Sequence, residues 1–152
     1  MKKRILIIGG YHKAESLANA FLHRGYAVTV INKNPEHCHT LAQIAELAVL
    51  IGDGSKPFVL EDAGAEKADI AIALTPFDED NLVICQLCKK RFHVRKTVSL
   101  AADPEKISFF YSMGIDSVVC ALSTITQIVE QQAFLDEFTT LLPLGHGELP
   151  IS

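Results

Sequence analysis

The stretch Arg4–Ala18, RILIIGGYHKAESLA, decides the fold. Arg4–Ile8 is an apolar run of strand length. Gly9 and Gly10 break it. Behind them Ala14, Leu17, Ala18, Phe21 and Leu22 recur at i, i+3, i+4, i+7 and i+8, the spacing of one buried helix face. Gly25 stands where a glycine closes a helix. A strand, a glycine turn and a helix therefore open the chain.

The same alternation runs outward from this unit. Ala27–Ile31 reads as a second strand. Asn34-Pro35 reads as an N-cap followed by proline at the first helical position, with the helix running to about Glu46. Leu47–Ile51 is a third strand, ending in Gly52-Asp53-Gly54-Ser55. A short helix spans Pro57 to Ala63, closed by Gly64. Asp69–Leu74 is a fourth strand, broken by Thr75-Pro76 and followed by a helix over Glu79 to Arg91. Lys96–Ala101 is a fifth strand, Asp103-Pro104 caps a helix that Gly114 ends, and Ser117–Cys120 is a sixth strand. Strands alternating with helices predict an α/β fold: a Rossmann-like, doubly wound parallel six-stranded sheet of order 3-2-1-4-5-6 with a C-terminal helix. Ligands of such sheets bind at the carboxyl ends of the strands, where the strand order reverses. That rule singles out the turns after Ile8, Ile31, Ile51 and Leu74.

The last predicted helix, Ser123 to Leu142, carries an apolar stripe of Ile125, Ile128, Val129, Leu135, Phe138 and Leu142, with Gln132 within it. It packs on its own sheet or is presented to a partner subunit. The division expected is residues 1–122 as the sheet domain, 123–142 as a dimerisation or crossover helix, and 143–152 as a linker or tail. The tail has the composition of a frayed end or of the entry to a further domain.

Composition narrows the function. The 152 residues suffice for one domain. A net charge of −4 argues against nucleic acid as the main partner. No segment approaches the ~18 consecutive apolar residues of a membrane span, so direct membrane insertion is not expected. Met1–Arg4 is basic, but the apolar run Ile5–Ile8 is too short for a secretion signal. The expectation is a cytoplasmic protein whose Cys38, Cys85, Cys88 and Cys120 stay reduced. Cys85 and Cys88 form a C-x-x-C, which reads as two small apolar side chains on one helix face; a zinc site needs about four ligands.

Several stretches together resemble the N-terminal nucleotide-binding domain of potassium-transport regulators, known as TrkA-N, RCK-N or KTN. They are the opening strand and glycine turn, Gly52–Ser55, Leu60–Asp69, Thr75 followed by acids, Asn81–Cys85, and Met113–Val119. The resemblance implies a binding module rather than an enzyme. It implies a cytoplasmic regulatory subunit or domain, peripheral to the inner face of the membrane through a membrane-embedded potassium channel or transporter subunit. It implies a homodimer or higher homo-oligomer, often with the last helix crossing to the partner. The ligand it implies is NAD(H) or ADP/ATP.

Position by position, Gly9 matches the first glycine of the dinucleotide fingerprint G-x-G-x-x-G/A, and Gly10 follows it. Tyr11 replaces the second glycine, where backbone approaches pyrophosphate, and would bear strain if that position demands positive φ. Ala14 fills the third position. His12 and Lys13 follow at a helix N-terminus that favours anions. Asn32 stands where the resemblance expects an acid on the adenine ribose; with Lys33 beside it, a 2′-phosphorylated ribose, as in NADP(H), enters the candidate set. Asp53, Gly54 and Ser55 belong to a loop that the resemblance places beside the adenine. Thr75 and Asn81 flank the other half of the cleft. Asp78, Glu79 and Asp80 are an acidic run that suits a helix start.

Two other readings compete. Tyr11 and Asn32 depart from the fingerprint at two separate contacts, which fits a degenerate dimerisation module that binds no nucleotide. The cofactor half of an NAD(P)-dependent oxidoreductase is the third, but the chain shows no serine elbow, no zinc-binding H-E-x-x-H and no paired base. No catalytic residue and no metal ligand is assigned.

Overall fold

The computed structural model describes residues 2–135. Six parallel strands form one sheet in the order β3-β2-β1-β4-β5-β6. They are β1 (Arg4–Ile8), β2 (Ala27–Asn32), β3 (Ala48–Ile51), β4 (Ile70–Ala73), β5 (Lys96–Leu100) and β6 (Ser117–Val119). Between them run α1 (His12–His23), α2 (Pro35–Leu41), α3 (Pro57–Asp62), α4 (Asp78–Lys90) and α5 (Ile107–Ser112), and α6 (Ala121–Ala133) follows β6. The expected doubly wound architecture is the one observed.

Period-two alternation splits each central strand between two cores. On one face Ile5, Ile7, Val28, Val30, Ile72 and Leu74 meet Ala14 and Ala18 of α1 and Leu41 of α2. On the other, Leu6, Ile8, Ile31, Ala71 and Ala73 meet Leu60 of α3, Ile84 and Cys85 of α4 and Phe110 of α5. A strand buried on both faces reads as a continuous apolar run, which is why ILII and AVTVI were legible. In the register, Ile8 lies beside Ile31 and Ala73, so the chain leaves β1, β2 and β4 at one level.

Two helices depart from expectation. The second ends at Leu41 rather than near Glu46. Past Leu41 the bonding tightens to i→i−3, from Gln43 N–H to Thr40 O (3.2 Å) and from Ile44 N–H to Leu41 O (3.0 Å), Glu46 takes a left-handed φ of 69°, and the next residue, Leu47, enters the core. The last starts at Ala121 rather than Ser123 and spans Ala121–Ala133, and residues 136–142 of the expected helix lie outside the described residues. None of its residues is buried: Leu122, Ile125 and Val129 are 59%, 58% and 58% exposed. Phe138, Leu142 and residues 143–152 lie outside the described residues.

Candidate functional site

The exits of β1 to β4 surround a cavity of about 340 Å³. Its walls include Gly9, Gly10 and Tyr11 after β1, Asn32 and Lys33 after β2, Gly52, Asp53 and Gly54 after β3, and Thr75, Pro76 and Phe77 after β4. Main-chain bonds hold the exits level: Gly9 N–H donates to Ile31 O (2.8 Å), Gly52 N–H to Asn32 O (2.9 Å) and Leu74 N–H to Ile8 O (2.8 Å).

The glycines serve closeness as well as conformation. Gly9 and Gly10 have φ of 82° and 73°, values that L-residues rarely adopt. A Cβ on Gly9 would stand 2.7 Å from Thr75 Cγ2 and 3.0 Å from Thr75 N. On Gly54 it would collide with Ile8 Cγ2. Side chains at these positions would push the exits apart.

Tyr11 has φ −119°, so the left-handed strain anticipated at the second glycine position does not arise. Positive φ falls one and two residues earlier, on glycines. The Tyr11 ring packs against the core on the α1–α2 face and lies parallel to the His37 ring, with centroids 3.9 Å apart and 2° between planes. Asn34 presents His37 by accepting from the His37 and Glu36 N–H groups with its side-chain oxygen, capping α2.

Asn32 is 7% exposed and bonded at both ends of its amide. Nδ2 donates to Gly10 O at 2.9 Å, and Oδ1 accepts from Asn34 N–H at 2.8 Å. Because a carbonyl can only accept and an amide N–H only donate, the orientation is unambiguous. The side chain latches the glycine turn to the β2 exit. An aspartate has no donor for Gly10 O, so the difference from the expected acid has a structural use here.

Asp53 supplies a carboxylate one strand away. Its Oδ1 accepts from the Ser55 hydroxyl (2.7 Å) and the Ser55 N–H (2.9 Å). These bonds hold its pKa below the usual value, assisted by the positive charges of Lys33 and Lys56. Ser55 thus acts through Asp53 and does not line the cavity. Asp80 of α4 is a second carboxylate in the wall.

Asn81 is fully buried and also lies behind the cavity wall. It accepts from Thr75 N–H (2.9 Å) and the Thr75 hydroxyl (2.8 Å), and donates to Thr75 O (3.0 Å) and Leu100 O (3.2 Å). It staples the β4 exit to β5. His12 and Lys13 line a separate groove of about 700 Å³ on the face of β4, β5 and β6, with Leu74, Val98, Leu100 and Val119. The advance of about 100° per residue carries them around α1 from the turn. Sequence reasoning missed His37, Phe77 and Asp80 as wall residues.

The walls suit an anion and hydroxyl groups. Among the described residues, the N–H groups of Gly10, Tyr11 and Gly54 donate to no protein acceptor. Lys33 adds a positive charge, and Asp53 Oδ2 is a free acceptor among the described residues. No cluster of three or more metal-ligating side chains occurs among the described residues. Cys85 and Cys88 are buried on α4, and burial pushes both thiols up to about 12, far from a thiolate nucleophile or ligand at neutral pH. No helix among the described residues is long and apolar enough to cross a membrane.

Residues 5–121 match the family model of the TrkA-N domain. The chain is 29% identical over 147 residues to the Trk system potassium uptake protein TrkA homolog of Methanothermobacter thermautotrophicus, covering 97% of this chain and 68% of that one. It is 28% identical over 134 residues to the Trk system potassium uptake protein TrkA of Vibrio alginolyticus, covering 84% of this chain but 29% of that protein. Among solved structures, the TrkA-N domain of the Escherichia coli inner membrane protein ybaL matches with a TM-score of 0.79 at 14% identity, over 87% of this chain and 97% of that one. The Shewanella denitrificans Kef CTD in its AMP-bound form matches with 0.70 at 21%, over 88% and 81%. The GsuK channel bound to NAD matches with 0.68 at 20%, over 82% and 22%. These structural likenesses establish the fold.

Proposed function

The chain belongs to the TrkA-N domain family, and on that premise we propose that it is a cytoplasmic regulatory subunit or domain of a potassium uptake system that senses NAD(H) or an adenine nucleotide. The observation that carries this reading is the cavity at the strand-order reversal. It offers open main-chain N–H groups, Lys33 and the ionised Asp53 on one rim. These are the groups that a phosphate and a ribose diol require. Relatives of the same fold solved with AMP and with NAD support the ligand class. The relatives named as potassium uptake proteins support the partner, a membrane-embedded transporter subunit that holds the chain at the inner face of the membrane. The walls contain no nucleophile–base pair, which favours regulation over catalysis.

Regulation would follow from population shift. A nucleotide that prefers one inter-subunit arrangement favours it by its differential affinity, and the membrane partner reads the change. The arrangement proposed is a homodimer. The apolar side chains of α6 are exposed, and the apolar groove on β4–β6 begins at Val119, two residues before α6 starts. A second copy can cover each with the other. Sedimentation of the purified chain should give a dimer; a clean monomer at high concentration contradicts this part of the proposal.

Calorimetric titration with ADP, ATP, NAD, NADH and NADPH tests the sensor reading. Micromolar binding of any one supports it. Absence of heat and of thermal stabilisation with all five would overturn it in favour of a dimerisation module without nucleotide. The features that favour this second reading are the Tyr11–His37 stack beside the glycine turn and the main-chain bonds that occupy Asn32. Turnover of a reduced cofactor would revive the oxidoreductase reading.

A further inference from the structure

A doubly wound sheet consists of two mononucleotide-binding halves, one at the exits of β1 to β3 and one at the exits of β4 to β6. In this chain the two halves differ in what their main chain has left to offer. At the first half, Gly10, Tyr11 and Gly54 have N–H groups with no protein acceptor among the described residues, and the cavity opens directly onto them.

At the second half, the β5 exit is satisfied from within the chain. The carboxylate of Asp78, only 7% exposed, accepts from Ala102 N–H at 2.8 Å and from Asp103 N–H at 3.3 Å, the first residues of the loop beyond β5. Lys106 Nζ, 3.8 Å away, neutralises that carboxylate from the helical turn after the loop. Ala101 N–H donates to Val119 O at 2.9 Å, and Leu100 O accepts from Asn81 at 3.2 Å. Leu100 O and the N–H groups of Ala101, Ala102 and Asp103, which a second nucleotide would seek along this exit, are thereby engaged from within. A ligand there would have to break a buried, charge-assisted bond before making its own.

We infer that the site recognises a single nucleotide, the adenosine mono- or diphosphate portion of its ligand, and that the second nucleoside of a dinucleotide adds nothing to binding because Asp78 and Asn81 occupy the β5 exit against which it would be held. This rests on the nucleotide-sensing reading above and sharpens it. A regulator built this way answers to the adenylate pool. It does not distinguish oxidised from reduced nicotinamide, because the redox-active ring is the part left without a site.

The test is a titration series on the full chain with AMP, ADP, ADP-ribose and NAD, which adds a phosphate, a ribose and a nicotinamide in turn. The expected result is affinity that levels off at ADP, with ADP-ribose and NAD within about threefold of it. A gain of about tenfold or more on adding the second ribose or the nicotinamide overturns the inference while leaving nucleotide sensing intact. Failure of all four to bind overturns nucleotide sensing itself, and this inference with it. Saturation-transfer NMR with NAD gives an independent readout. The adenine protons should receive strong saturation and the nicotinamide protons little; equal saturation of both rings contradicts the inference.

Discussion

The exits of β1 to β3 and the exits of β4 to β6 end the same sheet at the same level, yet the chain treats them in opposite ways. Around the first, polar side chains hold the turns from outside and leave main-chain donors facing the cavity: Asn32 grips Gly10 O, and Ser55 grips Asp53. Around the second, Asn81 and Asp78 reach into the turns and engage the main chain itself. One end is arranged to meet something else, and at the other the β5 exit is knitted shut. A residue's place in a ligand-binding fold therefore does not make it a ligand residue. Asn32 and Asn81 are both buried asparagines at strand exits, and the difference lies in which atoms they leave free.

Substitutions in the two regions should separate stability from binding. The largest effect is expected at the junction between them. Gly9→Ala would force a Cβ onto a left-handed backbone and against Thr75, a combined loss of about 3 kcal/mol in urea unfolding. A loss below about 1 kcal/mol would show that the exits are not held as closely as described. Next is Asn81→Ala. It leaves the main-chain N–H and O of Thr75 without their partner and should cost about 2 kcal/mol, with nucleotide affinity of the folded fraction nearly unchanged. A selective loss of affinity would place Asn81 in the site after all.

Asn32→Asp sharpens the contrast from the other side. A carboxylate cannot donate to Gly10 O, so the turn loosens, and nucleotide affinity should fall about tenfold with little change in stability. Tighter binding would mean that this position serves the ribose and that the latch is incidental.

The smallest effect concerns acid. Bonds from Ser55 hold Asp53 below the ordinary carboxylate value. For Asp116, burial acts in the opposite direction but is outweighed by bonds from Lys89 and Thr97. A depressed folded pKa contributes stability that is present above the unfolded value of 3.8 and lost as pH falls through the folded value. Urea midpoints should therefore not fall through loss of these bonds down to about pH 4, and should drop below it, less steeply in Asp116→Asn. A drop already complete above about pH 5 would contradict the assignment.

Much of the fold was legible because its determinants are local. Continuous apolar runs announce strands buried on both faces, and Asn34-Pro35 and Asp103-Pro104 announce helix starts, which the side chains of Asn34 and Asp103 do cap. The glycine turn was legible for the same reason. The site was only partly legible, since its decisive contacts join residues far apart in sequence. His37 meets Tyr11 only because α2 and the glycine turn converge. Asn32 looked free to meet a ribose until its partners at Gly10 and Asn34 were located. His12 and Lys13 sit beside the turn in sequence but around the helix from it in space. The exposed stripe of α6 was readable as apolar, while its lack of cover by the other described residues was not.

The most direct test of the account is an amide-NMR titration of the full chain with ADP. Shifts should concentrate at Gly10, Tyr11, Lys33, Asp53 and Gly54, with Ala102 and Asp103 unmoved. Shifts centred on Ala102 and Asp103, or no shifts at saturating ADP, would contradict a nucleotide site at the exits of β1 to β3.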